Sequence, residues 1–508
     1  MLLADLVATS TAVAATRSRK EKVAALAELF ARADPDAPLE VEVVTSYLGG
    51  ALRQRRTGLG WRSLTSLPDP ADEPSLTVLA VHEAFEHVAG LSGPGSQTAR
   101  AAATAELFGA ATAEEQQWLR GLVTGEVRQG ALDSLVQEAV ARATETPLPA
   151  VRRAAMLAGS TVVAARAAGT GGEEALAAIG LEVMRPVTPM LASTAPTVAE
   201  ALEKVGGEVA VDTKLDGIRI QVHRDGDDVR IATRSLDDIT TRLPEVVEVV
   251  RALPARTVVL DGEALSLGGD GRPRPFQETV SRTASAHEEG AAAVTPYFFD
   301  LLHLDGADYL DRPGRERLAA LDALVPEAHR VRRLETGDPE AAEAFARAAV
   351  ADGHEGVVVK SLDAPWEAGR RGAAWVKVKP RLTLDLVVLA VEWGSGRRRG
   401  WLSNIHLGAR ADDGDGFVML GKTFKGMTDE VLAWQTERFL GLETHREGHV
   451  VHVRPEQVVE IALDGVQRSP RYPGGIALRF ARVLRYRDDK TPGEADVLST
   501  VTGFLLPG

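Results

Sequence analysis

Val211-Asp-Thr-Lys-Leu-Asp-Gly-Ile-Arg-Ile-Gln-Val222 reads as two β-strands joined across a tight Asp216-Gly217 turn. Ile218, Ile220 and Val222 alternate with polar residues, which suits a pleated, half-buried strand. Asp-Gly is turn chemistry, because glycine adopts the required backbone angles at no steric cost. Lys214 therefore sits beside the turn, and Arg219 starts the second strand. Further short β-rich segments stand at 208–212, 218–223, 229–233, 257–260, 297–301, 356–360 and 375–379. Helical stretches at 315–324 and 339–351 lie between them. The pattern predicts an α+β domain with antiparallel sheets over residues 186–380.

Upstream, residues 1–185 are rich in Ala and Leu at helical spacing. Examples are 22–33, 76–89 and 131–146, where Leu132, Leu135, Val136, Val140 and Ala143 share one stripe. An all-α domain is expected there, with the Pro-rich run 185–196 as an extended linker. Downstream, residues 381–508 carry strands at 384–392, 404–409, 417–421, 450–453, 458–463 and 476–483 around one helix at 428–444. A five-stranded β-barrel is the expectation. No internal repeat is visible.

The 508 residues contain no cysteine, which excludes disulfides, Cys-ligated zinc, iron–sulfur clusters and thiol catalysis. The longest apolar run, 148–168, is interrupted by arginines, so no membrane span is expected. The start Met1-Leu-Leu-Ala-Asp5 lacks a basic n-region and reads as no signal peptide, which makes cytoplasmic the expected location. Net charge is −14, from 58 basic and 72 acidic side chains. The surplus lies outside the last 128 residues, which hold 17 of each sign. Two acid-free tracks there, 393–411 with four arginines and 466–487 with six, interleave Trp393, Trp401 and Tyr472 and fit a phosphate-backbone footprint. Only ten basic residues are lysines, and arginine cannot serve as a neutral amine nucleophile.

Several strands carry chemistry. In Val258-Val-Leu-Asp-Gly-Glu-Ala-Leu265 the period of two puts Asp261 and Glu263 on one face. Glu355-Gly-Val-Val-Val-Lys360 ends a buried-type strand on a lysine, and Trp375-Val-Lys-Val-Lys379 puts both lysines on one face. Any one of these alone is ordinary solvent-facing alternation. Together they suit a nucleoside triphosphate with a divalent metal: carboxylate oxygens hold Mg²⁺ and ammonium groups neutralise phosphate.

Lys214-Leu-Asp-Gly-Ile-Arg219 resembles the KxDGxR motif of the covalent nucleotidyltransferases, which comprise ATP-dependent DNA ligases, RNA ligases and mRNA capping enzymes. The remaining motifs of that family follow in order. They are Thr233-Arg-Ser-Leu-Asp-Asp238, Leu260-Asp-Gly-Glu-Ala264, Tyr297-Phe-Phe-Asp-Leu-Leu-His-Leu-Asp-Gly306, Glu355-Gly-Val-Val-Val-Lys360 and Trp375-Val-Lys-Val-Lys379. The stretch from Ser469 to Lys490 is similar to the terminal motif in its DNA-ligase version. The helical front resembles the DNA-binding domain of bacterial three-domain ATP-dependent DNA ligases, so the resemblance covers the whole chain.

The resemblance implies three modules: a helical DNA-binding domain at 1–185, an ATP-grasp-like adenylyltransferase domain at 186–380 and an OB-fold domain at 381–508. It implies ATP as cosubstrate, Mg²⁺ or Mn²⁺ as metal, and nicked duplex DNA as partner, encircled by a monomer without membrane contact. Lys214 would attack the ATP α-phosphate, AMP would pass to the 5′-phosphate of the nick, and the 3′-hydroxyl would displace it. That attack needs an uncharged amine, and Arg219, Lys377, Lys379 and the metal are the cations that would favour it.

By motif match, Asp212 lies near adenine, Phe299 stacks on it, and Arg219, Arg234 and Glu263 face nucleotide, ribose or metal. Glu355 is the metal carboxylate beside Glu263, and Arg371, Lys377 and Lys379 face phosphate. Arg479, Arg482, Arg485, Asp488 and Lys490 belong to the terminal motif, which in the family closes on the site about a hinge near residues 379–381. Leu236 stands where the family often has Asn, and Ala481 where it often has Pro. His303, His354 and His406 read as packing or turn residues. An RNA ligase or capping-type guanylyltransferase is the enzymatic alternative, and an inactive nucleic-acid-binding relic the non-enzymatic one. The helical front and the terminal motif disfavour the first; the intact Lys214, Glu263, Glu355, Lys377 and Lys379 disfavour the second.

Overall fold

A computed structural model describes residues 1–505 except 35, 55, 128, 131, 132, 270, 275–278, 280–293, 368–370, 380 and 381. The front of the chain is a bundle of α-helices from Leu3–Ala15 to Thr161–Ala177. Its local signals are conventional. Thr112 and Glu115 form a reciprocal capping box at the start of Ala113–Thr124, and Gly125 ends that helix in the left-handed conformation. In Asp133–Ala143 the stripe residues Leu135, Val136 and Val140 enter a core shared with Leu6, Val44, Tyr47, Phe85, Phe108 and Leu119. Leu132 of that stripe lies outside the described residues. The apolar run 148–168 is split into Leu148–Ala158 and Thr161–Ala177 by Gly159, whose φ is +63°. Among the described residues no helix is long and apolar enough to cross a membrane.

Two five-stranded sheets follow. One has the order β1 (Leu191–Ala195), β10 (Arg371–Val378), β9 (Val357–Ser361), β2 (Val209–Thr213), β8 (Arg333–Thr336). The other runs β4 (Asp228–Thr233), β3 (Ile218–Asp225), β5 (Thr257–Ser266), β6 (Val294–Leu304), β7 (Ala307–Asp308). Helices Val198–Val205 and Pro339–Ala351 cover the first sheet, burying Val209, Val211, Val357, Val359 and Val376. Pro244–Arg251 and Gly314–Leu324 cover the second over Ile220, Val222, Leu260 and Phe298. The Asp216-Gly217 turn carries the chain from the first sheet into the second, which places Lys214 where the sheets meet. The stretch expected as an extended linker ends instead in β1, which pairs in parallel with β10. Its backbone groups are satisfied by an otherwise open sheet edge, so the sheet is mixed and not purely antiparallel.

The last part of the chain departs further from expectation. β11 (Leu382–Trp393) has twelve residues, and β16 (Val458–Leu463) pairs with its first half while β15 (Val450–Val453) pairs with its second. β12 (Leu402–Arg410) lies on its other edge, followed by β13 (Phe417–Thr423). β14 (Glu443–Glu447) extends β15, and β19 (Arg482–Arg487) extends β16. The result is a branched seven-stranded sheet, with β17 (Gly465–Arg468) and β18 (Ile476–Arg479) as a separate ribbon. Among the described residues no ladder closes it, so the expected five-stranded barrel is corrected to an open, branched sheet. The physical reason is that one long strand with bulges at 388/390 and 392/393 serves two different partners along its length. Helix Asp429–Gly441 adds Leu432 and Phe439 to the core that the strand residues form.

Candidate active site

A cavity of about 660 Å³ opens between the two sheets, within the size range of nucleotide and drug-sized pockets. Lys214 stands at its wall. Its Nζ donates to Glu355 Oε2, and Lys379 Nζ donates to Glu355 Oε1 at 2.6 Å. The Lys214 amide also donates to the Gly356 carbonyl at 2.8 Å, and the Glu355 amide to the Lys214 carbonyl at 3.1 Å. Backbone and side chain therefore lock the lysine loop to the Glu355 turn. Both turns need glycine. A Cβ on Gly217 would collide with the Ala264 carbonyl, and Gly356 has φ +133° with the Val378 carbonyl against the place a Cβ would take.

The far end of the cavity holds a buried charged triad. Asp212 accepts from Arg333 Nε at 2.7 Å through Oδ1, and Lys360 Nζ lies 2.6 Å from Oδ2. Burial alone would push the Asp212 carboxyl up; Arg333 and Lys360 outweigh it and hold it below its ordinary value. Lys360 is displaced downward, burial again being the largest cause, against the pull of Asp212. Its ammonium lies 4.4 Å from the Phe299 ring centre and 4.3 Å from that of Trp375. The two rings meet edge to face at 5.9 Å. An aromatic corner beside a fixed carboxylate is a place for a flat, polar-edged ring.

The Arg219 guanidinium lies 5.6 Å from the Phe299 ring centre and 5.8 Å from that of Trp375. Its Nε and Nη2 bind Asp261 at 3.0 and 2.6 Å, and Nη1 donates to the Met190 carbonyl at 2.6 Å. Glu263 Oε1 accepts from the Gly217 amide at 3.1 Å. Burial pushes the Glu263 carboxyl up to about 7, against the opposing charges of Lys214 and Arg219. Asp216 is also displaced upward, first by burial and then by the charge of Glu355, while Arg479 and Lys214 oppose the shift.

The raised Glu263 pKa gives a pH dependence. A carboxyl with an ordinary value of 4.5 that titrates near 7 when folded binds its proton more tightly in the native state. Its contribution to stability is complete below the unfolded value and is lost as pH rises through about 7. Urea midpoints are expected to fall between about pH 5 and pH 8, and Glu263→Gln is expected to flatten that slope. Identical profiles for the two proteins would refute the assignment.

Arg234, Lys377 and Lys379 also line the cavity, together with Lys214, Asp212, Arg219, Glu263, Phe299 and Glu355. Arg371 opens β10, and its side chain lies outside the described residues. The terminal motif divides. Arg479 Nη1 reaches Asp216 Oδ2 at 3.3 Å, and Phe480 also lines the cavity. The other four members stay within the last sheet, away from the pocket. Arg485 binds Glu460 at 2.6 Å, Lys490 binds Asp385 at 2.5 Å, Asp488 accepts from Gln457 at 3.0 Å, and Arg482 points to solvent on β19. They follow the strand direction of β19, which diverges from the cavity beyond the tight turn at Phe480, where φ is +53°.

Among the lining residues none is a histidine. His303 is held by Asp308 at 2.7 Å and His406 by Glu392 at 2.9 Å. Three site members carried no sequence signal: Arg333, Trp375 as an aromatic wall, and Asp216 as partner of Arg479. Leu236, at the position where Asn is common, has φ +66°, a conformation Asn tolerates better than Leu.

Family models match three successive stretches: the DNA ligase N terminus at 62–141, the ATP dependent DNA ligase domain at 189–379, and the ATP dependent DNA ligase C terminal region at 398–490. The chain is 72% identical over 508 residues to a probable DNA ligase of a Nocardioides species, covering 99% of each. The chain belongs to the ATP-dependent DNA ligases. It is 68% identical to a probable DNA ligase of Kineococcus radiotolerans, again covering 99% of each, and 56% identical to one of a Mycobacterium species, covering all of both. The solved structure of Pmar-Lig_PreS3 covers 95% of this chain and 99% of its own, with TM-score 0.61 at 18% identity, a likeness of fold. This ligase is therefore an enzyme that uses ATP to join DNA strands, built from mixed helices and sheets.

Proposed function

We propose that this ligase forms its covalent intermediate on Lys214 and that the residues around the cavity divide the work along its length. The observation that carries this is the position of the Lys214 ammonium. It stands in the wall of a nucleotide-sized cavity, with cations on one side and an aromatic corner and fixed carboxylate at the far end. The base of ATP enters the corner of Phe299 and Trp375, with Asp212 at its polar edge. The phosphates run toward Lys377, Lys379 and Arg234. Lys214 Nζ then bonds to the α-phosphorus as the bond to the pyrophosphate oxygen breaks. One N–H proton leaves along the contact with Glu355, the acceptor lying against Nζ. The AMP passes to a 5′-phosphate, and a 3′-hydroxyl displaces it to give the phosphodiester.

Carboxylates are the donor type that Mg²⁺ or Mn²⁺ requires. Glu355 and Glu263 would hold the ion, with Asp216 beside them, where the charge of Glu355 adds to burial in raising the Asp216 carboxyl. When bound, the ion would neutralise phosphate charge.

The proposed organisation is a helical DNA-binding domain at 1–185, an adenylyltransferase domain at 186–380 and an OB-type domain at 381–508, acting as a monomer that surrounds nicked duplex. Exposed Trp61 with Arg120 5.5 Å from its ring, and the arginine tracks of the last domain, support phosphate and groove contact with little base reading. The expected hinge near 379–381 falls partly outside the described residues.

Arg479 tests the proposal. Removing the chain after about residue 465 would strip Ile476 and Val483 from the core and confuse folding with function. Arg479→Ala avoids that. It is expected to slow self-adenylylation about tenfold to a hundredfold while leaving sealing of a pre-adenylylated nick within about threefold. Equal losses in both assays would reject a role in closure over ATP.

A further inference from the structure

The geometry points to a second metal site, remote from the catalytic cavity: we infer that His445, Glu447 and His452 on the β14–β15 hairpin bind one Zn²⁺-class divalent cation. His445 and Glu447 are two apart on β14 and share a face, and His452 stands directly opposite His445 on β15. The two imidazoles stack at 4.3 Å with their planes 6° apart. His445 Nε2 lies 3.8 Å from Glu447 Oε1 and His452 Nε2 lies 3.7 Å from Glu447 Oε2. One ligand atom from each residue falls within 4.8 Å of the others. Two ligands each about 2.1 Å from a tetrahedral Zn²⁺ are about 3.4 Å apart, so closing the site requires the stacked rings to rotate until both Nε2 lone pairs converge on the ion.

The next shell supports the same reading. A register shift between Glu443 and His445 makes Thr444 the extra residue of a bulge. Its hydroxyl donates to the His452 carbonyl at 3.2 Å, which leaves the oxygen to accept from His445 Nδ1 at 3.2 Å. With the proton on Nδ1, the lone pair of Nε2 is left to face Glu447, the arrangement usual for a metal-bound histidine. Among the described residues Glu447 pairs with these two histidines and with no lysine or arginine. Glu392, in the same sheet, is by contrast satisfied by Asn404, His406 and Lys422. Imidazole nitrogen selects Zn²⁺, Co²⁺, Ni²⁺ or Cu²⁺ over the hard Mg²⁺, so this site and the catalytic one would take different ions.

The test uses the full-length chain without a polyhistidine tag, stripped with chelator and dialysed against Zn²⁺ in excess Mg²⁺. Wild type is expected to retain one equivalent of Zn²⁺ that the His445→Ala/His452→Ala double variant loses. Glu447→Gln, which keeps the shape, is expected to weaken binding about tenfold or more. Co²⁺-loaded wild type should show the visible absorption of a nitrogen-ligated, low-coordinate ion, absent from the double variant. Nick sealing in Mg²⁺ at the wild-type rate will show that the double variant is folded. Equal Zn²⁺ retention by wild type and double variant, or none by wild type, overturns the site.

Discussion

Lys214→Ala is expected to reduce labelling by α-phosphate-tagged ATP by more than about a thousandfold, to background. No neighbouring group can replace the amine. Lys379 is committed to the other oxygen of Glu355, and Lys377 lies on another strand of the cavity wall. Lys214→Arg should lose the label equally, because a guanidinium stays protonated at any working pH. The fold should survive both changes. Lys214 is partly exposed and its loss leaves Glu355 paired with Lys379, so circular dichroism and the urea midpoint should move little. Sealing of a pre-adenylylated nick, which bypasses the lysine, should retain measurable activity. Label remaining on Lys214→Ala would disprove the assignment of the nucleophile.

Arg333→Ala should have the largest effect on stability, about 3–5 kcal/mol by urea unfolding. Arg333 and Asp212 are both nearly inaccessible, at 9% and 3% side-chain exposure, and face each other across the β2–β8 ladder. Truncating the arginine strands part of a buried carboxylate's charge, and Lys360 alone must then answer it. ATP use should suffer as well, because Arg333 fixes the carboxylate at the polar edge of the aromatic corner. Adding Asp212→Asn removes the stranded charge and should recover part of the stability without recovering ATP labelling. A loss below about 1 kcal/mol would show that the pair is not buried as described.

Much of this was legible in the residues themselves. The ordered motifs from Lys214 to Lys490 resemble those of ATP-dependent DNA ligases, and the motif residues Lys214, Glu263, Glu355, Lys377 and Lys379 meet in one cavity. Each motif is a short local device whose chemistry dictates its sequence. A lysine before a glycine turn, a carboxylate on alternate strand positions and a lysine pair at period two can all be read without knowing what they touch. The resemblance did not show how the terminal motif would divide. Arg479 and Phe480 reach the cavity, whereas Arg485 and Lys490 remain in ion pairs of their own sheet, Asp488 accepts from Gln457 and Arg482 faces solvent. The barrel expectation failed for a related reason. Strand count and spacing are local, but whether a sheet closes depends on which edges β11 offers to β15 and β16.

The amino-acid sequence by itself therefore carried the resemblance to the family, the reaction that resemblance implies and the lysine to be tested, because the motifs are short local patterns. Only the tertiary structure decided what stands behind that chemistry. Arg333 meets Asp212 from 121 positions away through strand register, and Arg479 meets Asp216 from 263 positions away through the placement of the β17–β18 ribbon against the cavity. Partners at such separations leave no local pattern. They are set by how sheets pair and cores fill, and that is decided when the chain folds.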